Sequence, residues 1–347
     1  MGVFFVVVIL FSSLCAAEPR PLRFGIIGAF SGAAAPYGVA TRHGIELALE
    51  DLGPDAQLRI IYEDDGFEPA RTVSAFKKLT EIDKVDALEV LASQPSSAVA
   101  PLAESKGIPL FALASDTNVS RGRKFVARIY PSGEREGEAI AEQALRFGHQ
   151  TMAGIFSVNA YPASVERGFV AACPKEKLVL VEDVVQETND FRSILLKLRT
   201  RNVDGVFLCL NPGQLGQVAK QARTLGLKVS FFGCENLNNL TEVKLAEGAL
   251  DEAWSVTLSL QDTFRKRYQE RFGNGDYIAA AAVTYELVKR LGAIAERNVR
   301  GAELLRAVME VPGESTALIG GRFKTSEEGQ FLDAVYRLAY ARELFTQ

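Results

Sequence analysis

The side chains best suited to recognition chemistry gather at a few short places in this sequence, each just after an apolar run. Ser93 follows the run Ala87–Leu91, with Ser96 and Ser97 close behind. Ala114, Ser115, Asp116 and Thr117 close the run Pro109–Ala114, and Asn211, Pro212 and Gly213 close Gly205–Leu210. Glu235 follows Val229–Phe232 through Gly233 and Cys234, with Asn236, Asn238 and Asn239 beyond it. Tyr37 and Tyr161 come after the first apolar runs of the two halves. A hydroxyl and free backbone N–H groups at a helix start can hold a carboxylate without a full positive charge, because the helix N-terminus contributes about half a charge. An acid ringed by amides, with no Lys or Arg beside it, keeps its charge for a cationic group. An aromatic ring with a polar tip can cover an apolar group and still hydrogen-bond. Together these groups suit noncovalent capture of a small polar molecule.

Each residue also has a plainer role. Ser96 can simply cap its helix. Asp116 would repel a carboxylate if it faced a ligand, so either it is a turn residue turned to solvent, with Thr117 as the hydroxyl contact, or the ligand carries a positive or amide group there. Tyr37 and Tyr161 can be surface packing, and Glu235 a solvated loop acid. Cys209 and Cys234 end neighbouring runs. They are either buried free thiols acting as small hydrophobes or, with Cα atoms within roughly 7 Å, a disulfide.

Bond-making chemistry finds little support. The histidines are His43, inside a helical pattern, and His149, in a loop, and neither has zinc spacing. No G-x-S-x-G elbow is present. Gly25, Gly28 and Gly32 form neither G-x-G-x-x-G nor a P-loop, so no nucleotide cradle follows the first run. No metal or cofactor is expected, and the chain is not expected to be an enzyme. A formal charge of −4 with no basic stripe gives no field for a nucleic acid backbone.

Positioning these residues requires strands that end where they begin. Short β-rich runs (Leu22–Ala29, Gln57–Glu63, Ala87–Leu91, Pro109–Ala114) alternate with helical patterns at His43–Leu52, Ala70–Ile82 and Ser96–Lys106. The alternation restarts with helix Glu134–Phe147 and continues through strands Thr151–Phe156, Leu178–Val184, Gly205–Leu210 and Val229–Phe232. Helices Ala163–Cys173, Asp190–Arg199 and Gln214–Leu225 separate those strands. Helices Thr263–Phe272 and Tyr277–Glu296 and a last strand, Ala334–Ala341, follow Trp254. This pattern makes parallel sheets covered by helices on both faces, and 347 residues are enough for two such units. One large doubly wound domain is the alternative. Ligands of such sheets sit beyond the carboxyl ends of the strands, so two facing sheets would line a cleft from both sides. At the start, the apolar run Val3–Phe11 and the small residues to Ala17 read as a secretory signal peptide over 1–17. An uncleaved anchor, or a lipoprotein modified at Cys15, is the alternative.

The loops also carry a resemblance. FGIIGAFSGAAAPYGVATRHGIELALEDL (24–52), SSAVAPLAESKGIPLF (96–111) and LGQVAKQARTLGLKVSFFGCEN (215–236) resemble, in order, segments of the branched-chain amino acid binding proteins of ABC importers. That resemblance implies a type I periplasmic binding fold: α/β, with two Rossmann-like doubly wound lobes of parallel strands joined by three crossovers. Residues 22–129 with 259–323 would form lobe 1, and 130–258 with 327–347 lobe 2. It further implies hinged closure on an amino acid or similar molecule, a monomer in the periplasm, and docking on an ABC permease in the inner membrane. Matched by position, Ser93 would bind a carboxylate, Ala114–Thr117 would supply a backbone amide and a hydroxyl, and Tyr37 and Tyr161 would cover the ligand. Asn211 falls where many relatives carry Tyr or small residues, and Glu235 matches the acid that meets the ammonium. The sequence ASDT departs from the family's Ala-Thr turn. A sensor of the same fold, binding an amide or aromatic acid and signalling to a regulator or receptor, is the other reading.

Overall fold

The computed structural model describes residues 20–273 and 275–344; the expected signal segment, 1–17, lies outside the described residues. Two sheets organise the chain. The first has β1 (Leu22–Gly28), β2 (Leu58–Asp64), β3 (Ala87–Leu91), β4 (Leu110–Leu113) and β5 (Val126–Arg128) in parallel, in the order β5-β4-β3-β1-β2. Helices α1 (Ala35–Leu52), α2 (Pro69–Lys77) and α3 (Ser93–Lys106) connect them. The second sheet begins after α4 (Gly133–Arg146). It holds β6 (Met152–Ser157), β7 (Leu178–Val184), β8 (Gly205–Cys209), β9 (Ser230–Gly233) and β10 (Trp254–Leu258), with α5 (Ala160–Ala172), α6 (Arg192–Thr200), α7 (Leu215–Thr224) and the short α8 (Leu240–Leu245) between strands. The chain then returns to the first lobe for α9 (Asp262–Phe272), α10 (Ile278–Ile294) and α11 (Gly301–Met309).

Antiparallel hairpin strands β11 (Arg322–Ser326) and β12 (Gly329–Asp333) extend the first sheet, β12 pairing in parallel with β5. Only then does β13 (Tyr336–Tyr340) cross to pair antiparallel with β10. The backbone thus passes between sheets three times, after β5, β10 and β12. The expectation that 327 onward belongs to lobe 2 is corrected, because β12 stays in the first sheet. The cause is local. Buried Arg128 of β5 holds the hairpin by an ion pair to Glu328 at 2.9 Å and stacks over Phe331 at 5.1 Å, while Ser120 donates to the Glu328 carbonyl at 2.7 Å.

Each sheet buries an apolar cluster on both faces, the requirement that makes parallel strands near-continuous apolar runs. In lobe 1, Phe24, Ile26, Ala87 and Phe111 face α1 and α10, and Ile27, Leu88, Val90 and Leu110 face α2 and α3. In lobe 2, Ile155, Val206 and Leu208 face α6 and α7, and Phe156, Phe207 and Phe232 face α4 and α5. Among the described residues, no helix is long and apolar enough to cross a membrane.

Candidate functional site

The carboxyl ends of the two sheets face each other across a cleft. From the first lobe it is lined by Ala34, Tyr37, Phe67, Ala92, Ser93, Gln94, Leu113, Ser115, Tyr130 and Tyr277, and from the second by Asn159, Tyr161, Asn211, Pro212, Glu235 and Asn236. The cleft encloses a cavity of ≈ 80 Å³, room for several waters or for a molecule of about amino acid size.

One end of the cleft is built from hydroxyls. Ala92 takes a left-handed φ of 71° and turns β3 sharply into α3, which puts Ser93 in the helix's first turn at the cleft. Ser93 Oγ accepts the N–H groups of Ser115 (3.0 Å) and Asp116 (3.2 Å), tying the β3 and β4 loops together and leaving its own O–H to donate. Ser115 also faces the cleft. The neighbouring helix N-terminus gives this end a partial positive character.

The other end is acidic. After β9 the chain enters a single 3₁₀ turn, Glu235–Leu237, which presents Glu235 to the cleft. Tyr130, from the first crossover, donates its O–H to Glu235 Oε2. The Glu235 N–H donates to Glu136 Oε1 at 2.9 Å. Glu136 is itself fully buried in the first turn of α4, and the Tyr161 hydroxyl lies 3.0 Å from both of its carboxylate oxygens. Burial pushes the Glu235 carboxyl up to about 7, with the Tyr130 bond pulling the other way. Burial, with Cys234 and Glu235 nearby, also holds the Glu136 carboxyl well above the usual range. Among the described residues, no Lys or Arg lines the cleft.

Aromatic rings close the sides: Tyr37, Phe67, Tyr130, Tyr161 and Tyr277. Tyr37 meets Tyr277 edge to face with centroids 5.3 Å apart. Asn211 accepts from Asn159 Nδ2 at 2.5 Å, and its N–H donates to Ser157 Oγ at 2.9 Å. The lobes also touch at the rim, where Asn239 Nδ2 donates to Tyr277 Oη (3.1 Å) and the Leu240 N–H to Asp276 Oδ1 (2.7 Å).

Of the residues expected at the site, Tyr37, Ser93, Tyr161, Asn211 and Glu235 come together here. Ser96, Ala114, Asp116 and Thr117 are not among the lining residues. Ser96 is turned inward, donating to the Val90 carbonyl at 3.1 Å. Asp116 caps the turn Thr117–Val119 by accepting the Asn118 N–H, and its carboxylate lies 3.6 Å from Arg167 of the other lobe. Thr117 Oγ1 accepts from Arg121 at 3.1 Å. The turn thus offers Ser115 to the cleft instead of its neighbours. Sequence reasoning placed Ser115 in the expected turn without assigning it a contact, and it missed Tyr130, Glu136 and Tyr277. Only Glu136 carried a signal: it stands on the buried stripe of α4 with Gly133, Gly137, Ile140 and Ala144, where an acid is out of place. Cys209 and Cys234 are buried free thiols.

The sequence profile of the periplasmic binding protein family matches residues 21–342. The Leu/Ile/Val-binding protein of Escherichia coli is 24% identical over 246 residues, which are 68% of this chain and 66% of that protein. A branched-chain amino acid transporter substrate-binding protein from Streptococcus pneumoniae, solved with isoleucine, superposes with a TM-score of 0.80 at 17% identity, covering 92% of this chain and 96% of that one. A solute-binding protein of an ABC transporter from R. palustris, solved with benzoate, superposes with a TM-score of 0.77 at 19% identity, covering 92% and 93%. The alternation of strands and helices, the two facing sheets and the profile match over residues 21–342 agree: this chain belongs to the periplasmic binding protein family.

Proposed function

We propose that the protein is the substrate-binding component of an ABC importer, which captures an amino acid or a related small polar molecule in the periplasm by closure of its lobes. The observation that carries this reading is the polarity of the cleft: hydroxyls and a helix N-terminus from one lobe, and Glu235 with no cation beside it from the other. A zwitterion laid across the cleft would direct its carboxylate to Ser93 and Ser115 and its ammonium to Glu235. The aromatic walls suit an apolar or aromatic side chain. The protein then acts by binding alone, as a monomer that presents its closed form to a membrane permease.

The test is a thermal-shift screen across amino acids, amides and small aliphatic and aromatic carboxylates. A ligand at 100 times Kd adds about 2.7 kcal/mol to the folded state. For lobes of this size, such a gain raises Tm by roughly 5–10 °C. A folded sample that shifts with no member of the panel contradicts the reading.

A further inference from the structure

Beneath the cleft floor lies a pair of groups that ligand capture does not use. β8 and β9 are parallel neighbours, with Leu208 opposite Gly233, so Cys209 and Cys234 are the next residues in the same register. Two positions earlier on the same face, Phe207 and Phe232 stack with centroids 5.8 Å apart and planes within 8°. The thiols continue that stack, buried in one cluster with both rings. We propose that Cys209 and Cys234 are a redox pair, which a disulfide oxidant of the exported compartment joins into a cross-strand disulfide directly behind Glu235.

The surroundings favour Cys234 as the attacking sulfur. Burial opposes its ionisation, but donation from the Cys209 thiol, the Tyr161 hydroxyl and the Asn236 N–H outweighs this and lowers its pKa, whereas burial and its bond to Cys234 push Cys209 up. The thiolate is the nucleophile in such exchange. Its attack on the oxidant R–S–S–R forms the Cys234–S–S–R bond and expels one RS⁻, which leaves with the bonding electron pair. Cys209 then gives up its proton and attacks the Cys234 sulfur, expelling the second RS⁻. The two protons from the thiols convert both leaving groups to RSH, so two cysteines are oxidised and one external disulfide is reduced. Both cysteines are fully buried, and Asn211 and Glu235, within two residues of them in the chain, line the cleft, so exchange with an oxidant requires local opening of the cleft floor between them. Cys234 immediately precedes Glu235, and the bond would fix the backbone that carries the acid. That consequence for ligand grip rests on the functional reading above; the thiol chemistry does not.

The experiment incubates the reduced, unliganded full chain with oxidised glutathione, then unfolds it in acid and counts thiols with iodoacetamide by mass spectrometry. The expected result is two fewer adducts and an intact mass lower by about two units, the loss of two hydrogens on disulfide formation. Dithiothreitol should reverse both. Cys209→Ser and Cys234→Ser should each abolish the two-adduct loss, and Cys209→Ala repeats the control if the serine form does not fold. Emission from Trp254, whose ring stacks on Phe232 at 4.8 Å, should change with oxidation in the parent chain and not in these variants. An unchanged thiol count, a glutathione adduct that persists on one cysteine, or a two-adduct loss that survives Cys209→Ser would each overturn the pair. None of these readouts needs the transported solute, so failure here leaves the ligand screen standing, and failure there leaves this result standing.

Discussion

Glu235 occupies a position where an acid is costly to ionise unless something charged meets it. A buried carboxyl resists ionisation, and Tyr130 offsets this only in part, so its value rises to about 7 from an ordinary 4.5. In the unliganded protein it is protonated at pH values where the unfolded chain is ionised, so its effect on folding is a stability that declines as pH climbs from about 4.5 to about 7. An ammonium selects the ionised form, which reverses the dependence for binding: affinity should fall as pH drops below about 7, by at most about tenfold per unit. Removing one partner of an enclosed charge pair costs about 3–5 kcal/mol, equivalent to roughly 100- to 5,000-fold in affinity. Calorimetry on Glu235→Gln should therefore show at least about a 100-fold loss, with the pH dependence gone and the unliganded Tm not lowered. A loss below about threefold would place Glu235 outside the recognition chemistry. At this scale position after a strand located Ser93 and Glu235 at the cleft but did not tell Ser115 from its neighbours Ala114, Asp116 and Thr117, which follow β4 and do not line it. Tyr130 and Tyr277 reach the cleft from a crossover and from a helix start after a break, and no periodicity marks such positions.

Helices α4 and α5 back the second lobe's side of the cleft through Glu136 and Tyr161, and glycine sets their separation. A Cβ on Gly168 would collide with the backbone carbonyl of Glu134, and one on Gly137 with that of Val165. Neither obstacle is a flexible side-chain end. The close approach keeps Glu136 under Tyr161 and the Glu235 N–H. Gly168→Ala should push the helices apart and destabilise the fold by about 1–3 kcal/mol, the usual cost of overpacking. Urea unfolding followed by circular dichroism measures it, and an unchanged midpoint would show that α4 yields freely. Element types were readable from alternating β-rich runs and helical spacing. The shortfalls are physical. β5 has only three residues, too few for a pattern to register, and in β10, WSVTL, Ser255 and Thr257 interrupt the apolar run. β11 is an exposed edge strand, RFKTS, without an apolar face to announce it. α1 begins at Ala35 rather than His43, because its first two turns bury small residues such as Gly38, Ala40 and Thr41 instead of a large apolar stripe.

The whole molecule is two similar lobes whose core clusters lie within each lobe, joined by three strand-end connections. Such an arrangement bends at its connections more readily than it deforms within a lobe, which is the physical basis of hinge closure. The two-lobe plan was visible in the restart of the β-α alternation. The last crossing was misplaced because Arg128, Ser120 and Glu328, which hold the hairpin to the first sheet, are some 200 residues apart in sequence. Polar contacts join the lobes across the cleft, among them Tyr130 with Glu235, Asn239 with Tyr277, Asp276 with Leu240, and Asp116 with Arg167. Polar contacts of this kind can be exchanged for water, which allows an open form that a bound solute would draw shut. Small-angle X-ray scattering of the full chain, without and with a saturating ligand from the screen, tests that claim most directly. The radius of gyration should be larger without ligand and fall when the site is saturated. An unchanged radius of gyration, with calorimetry confirming that the site is full, would contradict capture by lobe closure.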